Sequence, residues 1–100
     1  MKPPPIECLF REAWRVLRPG GIVFFRDLFR PPDAATWHVL VERYAGNATP
    51  HQKKLFADSL HAALTVEEVR EIVSSFGLNQ DCVQATSDRH WTWICRKPAV

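Results

Sequence analysis

Arg26, Asp27 and Arg30 crowd two guanidinium groups and a carboxylate onto one short stretch. Such a set can hold an anion through the arginine forks or accept a proton through the carboxylate. It follows Ile22-Val23-Phe24-Phe25, a β-branched and aromatic run that reads as a strand. Open α/β sheets place their ligands at the carboxyl ends of strands. A solvated strand end with an Asp–Arg pair is the bland alternative. The other reactive side chains are scattered. Cys8, Cys82 and Cys95 form no C-x-x-C, and an odd number of this kind points to reduced thiols in a cytoplasm. His38, His51, His61 and His90 lack H-x-x-x-H or H-E-x-x-H spacing, so no metal site is expected. Ser87, Asp88 and His90 are sequence neighbours, but a nucleophilic triad needs convergence in a pocket, which a hairpin turn does not supply.

The elements that must position these groups begin with a helix. Ile6, Leu9, Phe10, Ala13, Trp14 and Leu17 fall at i, i+3, i+4, i+7 spacing, with Glu7, Arg11, Glu12, Arg15 and Arg18 opposite. Pro3 to Pro5 lead into it as a stiff extended segment. Pro19-Gly20-Gly21 stops it, and because a strand follows, this is a structural turn and not a phosphate cradle. The strand Ile22–Phe25 reads as buried on both faces, with Arg26 and Asp27 ending it. Three helix starts follow. Asp33 is an N-cap, with Trp37, Leu40, Val41 and Tyr44 as the stripe behind it. Thr49 with Gln52 and Thr65 with Glu68 are capping boxes. Leu55, Phe56, Leu60 and Ala63 form the apolar face after the first box; Val66, Val69, Ile72, Val73 and Phe76 form it after the second, closed by Gly77. Two alternating runs, Asp81 to Thr86 and His90 to Arg96, read as a hairpin about Ser87-Asp88. That turn sets Gln84 against Trp91 and Cys82 against Trp93, a register that a single slip would invert. Cys82 and Cys95 are then diagonal neighbours, too loosely placed to claim a disulfide.

Arg15-Val16-Leu17-Arg18-Pro19-Gly20-Gly21, with the strand and Asp27 behind it, resembles class I S-adenosylmethionine (SAM)-dependent methyltransferases. There an R-x-L-x-P-G-G segment joins the fourth helix to the fifth strand. Leu64 to Gly77 is similar to that family's last helix, and Asp81 to Arg96 to its closing hairpin. The resemblance covers most of the chain but only the C-terminal half of the family fold. It implies an α/β, partial Rossmann-like architecture: a three-stranded mixed sheet with about four helices. The first strand would run parallel to the second, and the third would insert centrally, antiparallel to both. Residues 1–100 would form one domain carrying a helical insertion over 33–64. By the same resemblance Arg26, Asp27 and Arg30 border a substrate pocket, and a complete enzyme uses SAM in in-line methyl transfer.

The residues qualify that picture. A glycine turn lets a backbone approach the cofactor, and a carboxylate accepts from paired ribose hydroxyls. Only Gly20, Gly21, Gly46 and Gly77 occur, and none forms G-x-G, so no SAM binding and no catalysis are expected of this chain alone. The expected partner is a second copy, recruited through the exposed edge of Ile22–Phe25 or by exchange of the helical insertion, which would make the chain a non-catalytic interaction module. A net charge of +2 is too mild to argue for nucleic acid. Trp91 and Trp93 beside Arg89 and Arg96 leave single-stranded nucleic acid as a weaker alternative. At 46% hydrophobic with no run of about 18 apolar residues, the chain reads as globular rather than membrane-spanning.

Overall fold

The computed structural model describes residues 5–99. Helix α1 (Pro5–Val16) starts on proline, whose fixed φ suits a first turn; the extended lead expected at Pro3 and Pro4 lies outside the described residues. Phe10 is fully buried on its inner face, with Ile6, Trp14 and Leu17 half-buried beside it. Leu9, expected on that face, is 55% exposed. Glu7–Arg11 and Glu12–Arg15 pairs line the solvent side. Arg18 to Gly21 then make a tight turn: Gly21 N–H donates to Arg18 O at 2.9 Å and Gly20 sits at φ 83°. Proline followed by a positive-φ glycine is the signature of a type II turn. Gly20 N–H and Gly21 O also bond to Lys97, and the Lys97 ammonium donates to Trp14 O at 2.8 Å. The end of α1 is therefore capped by the far end of the chain.

Strand β1 spans Ile22–Leu28, so Arg26 and Asp27 lie inside it rather than ending it. The ladder with the last strand continues to Leu28 opposite His90, which carries the strand past the charged residues. Its faces are also unequal. Val23 is buried and Phe25 half-buried against the helices, whereas Ile22 is 50% and Phe24 61% exposed. The expectation of a strand covered on both sides fails because helices cover one face along its length and reach the other only near Leu28.

Helices α2 (Ala34–Ala45), α3 (Pro50–Ala62) and α4 (Val66–Ser74) begin where the caps place them. Asp33 Oδ1 accepts from Thr36 N–H at 2.7 Å, and both capping boxes close. Leu40, Val41 and Leu60 join α2 to α3 in a small core of their own, supported by Leu28, Trp37 and Phe56. Leu55, expected to pack, is 54% exposed, and Tyr44, 43% exposed, meets Phe56 only at its ring edge. Helix α4 buries Val69 and Val73 against the sheet beside α1.

A 3-10 turn, Gln80–Cys82, replaces the start of the expected hairpin strand, leaving β2 as Val83–Ala85 and β3 as His90–Arg96. The register is Val83–Trp93, Gln84–Thr92 and Ala85–Trp91, one residue from the expected pairing. The cause is the turn. Ser87 to Arg89 form a three-residue turn, closed by Thr86 N–H donating to His90 O at 3.0 Å, in which Ser87 Oγ accepts from the Arg89 and His90 N–H groups. Both tryptophans consequently share the covered face with Val83 and are buried. Sheet order is β1-β3-β2, and both ladders are antiparallel. The architecture is thus α/β, with four helices and an antiparallel three-stranded sheet. The last strand lies centrally and antiparallel to both others, as expected, but the sheet is not mixed, since no parallel ladder occurs among the described residues.

Candidate functional site

Strand geometry divides the predicted cluster. Successive side chains on a strand point to opposite faces, so Arg26 and Asp27 cannot act on one ligand from one side. Arg26 stands on the open sheet face opposite Thr92, exposed and without an ion pair among the described residues. Asp27 falls on the covered side opposite Trp91. There it lines a cleft of about 530 Å³ with Ile6, Ser59, Leu64 and Trp91, and its Oδ1 accepts from Leu28 N–H at 2.7 Å. Arg30 lies past the strand, and its guanidinium is already committed: it donates to Glu68 Oε1 at 3.1 Å.

The same Glu68 oxygen accepts from Thr65 N–H at 2.9 Å. The Thr65 backbone bond chiefly, and Arg30 to a smaller degree, hold the Glu68 carboxyl below its usual range. Arg30 N–H donates to Leu64 O as well. Arg30 thus braces the start of α4 against the loop after β1. Its outer side borders a second cavity of about 450 Å³, walled by Pro31, Asp33, Trp37, His38 and His61. The polar groups there are largely engaged: Trp37 Nε1 donates to Ala57 O at 3.0 Å, and Asp33 caps α2. The Thr36 backbone bond keeps the Asp33 carboxyl low. The three residues expected at one pocket therefore occupy three separate environments.

The Ser87–Asp88–His90 neighbours do not assemble either. Ser87 Oγ lies 2.9 Å from His90 Nδ1, but the Asp88 carboxylate turns to Tyr44 Oη (2.7 Å), Arg43 (2.7 Å) and Arg89 (3.0 Å). The Tyr44 hydroxyl first, then the two arginines, lower the Asp88 carboxyl. Arg89 stacks over the Tyr44 ring at 3.7 Å. This knot fastens α2 to the hairpin loop. Sequence reasoning missed it because partners so far apart in the chain leave no local pattern. Burial, more than the neighbouring arginines, depresses the His90 pKa.

Trp91 and Trp93 are 1% and 0% exposed, so neither offers a ring face to a base. They pack instead with Phe10 at centroid distances of 5.6 and 4.9 Å. Among the described residues no group of three His, Cys, Asp or Glu could hold a metal ion. No helix there is long and apolar enough to cross a membrane.

What remains conspicuous is the bare side of the sheet. Ile22, Phe24 and Ile94 are each at least half exposed and share one face, since Phe24 lies directly opposite Ile94. Arg26 and Arg96 flank them along the two strands. Among the described residues the outer edge of β1 has no strand beside it. Towards Leu28 this face is covered by the α2–α3 core, and Thr92 nearby is buried, bonded to the Thr86 hydroxyl. No protein-family model, no curated protein and no solved structure matches this chain.

Proposed function

We propose that the chain is the C-terminal portion of a SAM-dependent, class I methyltransferase-like protein, a portion that neither holds SAM tightly nor transfers methyl by itself. The observation that carries this reading is the strand order β1-β3-β2, in which the last strand inserts antiparallel between the other two. The R-x-L-x-P-G-G segment supports it by making the turn between α1 and β1 that the resemblance implies. Arg26, Asp27 and Arg30 do not converge, so no acceptor pocket is assigned to them within this chain. Titration calorimetry with SAM tests the reading: binding no tighter than about millimolar, roughly −4 kcal/mol, is expected. Micromolar binding would return the isolated chain to the enzymes.

The open side of β1 favours a second reading, self-association of a non-catalytic module. An unpaired edge is a template for another strand, and an apolar face beside it adds burial. Antiparallel two-fold pairing centred on Phe24 sets that residue against its own copy and Arg26 against Ile22, so like charges are not opposed. Exchange of α2 and α3 is the other route, and it would carry the Arg43 and Tyr44 contacts with Asp88 across to the partner copy.

A further inference from the structure

Cys82 and Cys95 are brought together by the 3-10 turn that the sequence did not foretell. In a regular ladder continuing Val83–Trp93, Cys82 would oppose Ile94 and point away from Cys95. Breaking the strand at Gln80–Cys82 releases it from that alternation, and the two sulfurs approach to 3.2 Å. Both are free thiols, partly exposed and packed on the edge of the main core. Cys8 lies apart, exposed on α1. We propose that Cys82 and Cys95 are a redox modification site, a dithiol that closes reversibly to a disulfide under a low-molecular-weight disulfide such as oxidised glutathione.

A disulfide is about 2.05 Å long, so the sulfurs need close by only roughly 1.2 Å from their present 3.2 Å. Cys82 sits at the end of a single short turn, which adjusts more easily than the paired strand carrying Cys95. The chemistry balances as two exchanges. The Cys82 thiolate attacks one sulfur of R–S–S–R, forming Cys82–S–S–R and releasing R–S⁻, which takes up a proton. Cys95 then gives its proton to water and attacks the Cys82 sulfur, expelling the second R–S⁻. Two protein thiols are oxidised and one small disulfide is reduced to two thiols. Burial first, and the adjacent Cys82 sulfur second, push the Cys95 thiol up to about 11. The opening attack is assigned to Cys82, the thiol carried on the adjustable turn. The bond would pin the turn before β2 to the central strand, 13 positions along the chain.

The test equilibrates the intact chain in glutathione buffers from reducing to oxidising and counts thiols by maleimide labelling and intact mass. Three reactive thiols are expected under reducing conditions and one, Cys8, under oxidising conditions. Peptide mapping should then join Cys82 to Cys95 within one chain, and a Cys8→Ser variant should lose every reactive thiol. Three persistent thiols in the most oxidising buffer would overturn the proposal. So would glutathione adducts that stay on Cys82 without resolving, or a bond joining two chains through these residues. Cys95→Ser supplies the internal check: it should trap the mixed disulfide on Cys82, and failure to do so in a folded variant rejects Cys82 as the attacking thiol.

Discussion

Replacing Thr65 by alanine removes one hydroxyl but loosens three bonds that meet at the start of α4. Thr65 Oγ1 accepts from Glu68 N–H at 3.1 Å, while Glu68 Oε1 accepts from Thr65 N–H at 2.9 Å and from Arg30 at 3.1 Å. Loss of the cap itself costs about 1 kcal/mol. The Arg30–Glu68 pair is about 40% exposed on each side, so its loosening adds at most a few tenths. With a urea slope near 2 kcal/mol per molar, the midpoint should fall by roughly 0.5 M. Thr49→Ala removes the same kind of cap, but its return bond is longer, 3.3 Å, and Pro50 already fixes the first φ of α3. It should cost less. Acidity supplies a second readout. Glu68 is held below its ordinary value in the folded chain, so its contribution is full above pH of about 4.3 and vanishes as pH falls through the lowered folded value. The gap between wild type and Thr65→Ala should therefore narrow in acid. Equal, negligible losses for both threonines, in parallel urea titrations followed by circular dichroism, would refute the cap assignment.

Gly20→Ala should destabilise by about 1–2 kcal/mol although a Cβ there meets no atom, because the strain lies in φ 83° and not in space; thermal melts check this, and an unchanged melting temperature contradicts it. Phe10→Ala should cost about 3–5 kcal/mol, since Phe10 is fully buried among Phe25, Trp91 and Trp93. That loss approaches the whole stability of a small domain. The near-ultraviolet signal of the tryptophans should collapse with it, and a well-folded Phe10→Ala chain would move the core elsewhere.

Helix starts were legible because capping is local chemistry: Asp33, Thr49 and Thr65 each act on an amide three residues on. The hairpin was legible only as a hairpin. Its register depends on whether two or three residues turn, and Ser87 decides that by folding back on the Arg89 and His90 amides, leaving Thr86 to pair with His90. Ile22-Val23-Phe24-Phe25 carries no sign of which face is covered, because that depends on helices elsewhere, and only α1 and α4 supply cover. Arg26 and Asp27 looked like one site because adjacency in sequence hides the alternation of a strand. The Asp88 knot and the Cys82–Cys95 approach were invisible for a different reason: both arise from an irregular turn that places distant side chains together.

The open β1 edge and the bare face beside it carry the proposed self-association, and light scattering coupled to size exclusion measures its consequence. A mass of twice 11.5 kDa is expected at high concentration, built through the open β1 edge and the Phe24–Ile94 face. Phe24→Lys should return the chain to 11.5 kDa with its circular dichroism unchanged, since the side chain is 61% exposed and supports no core contact. A clean 11.5 kDa species for the unmodified chain across the whole concentration range would contradict it.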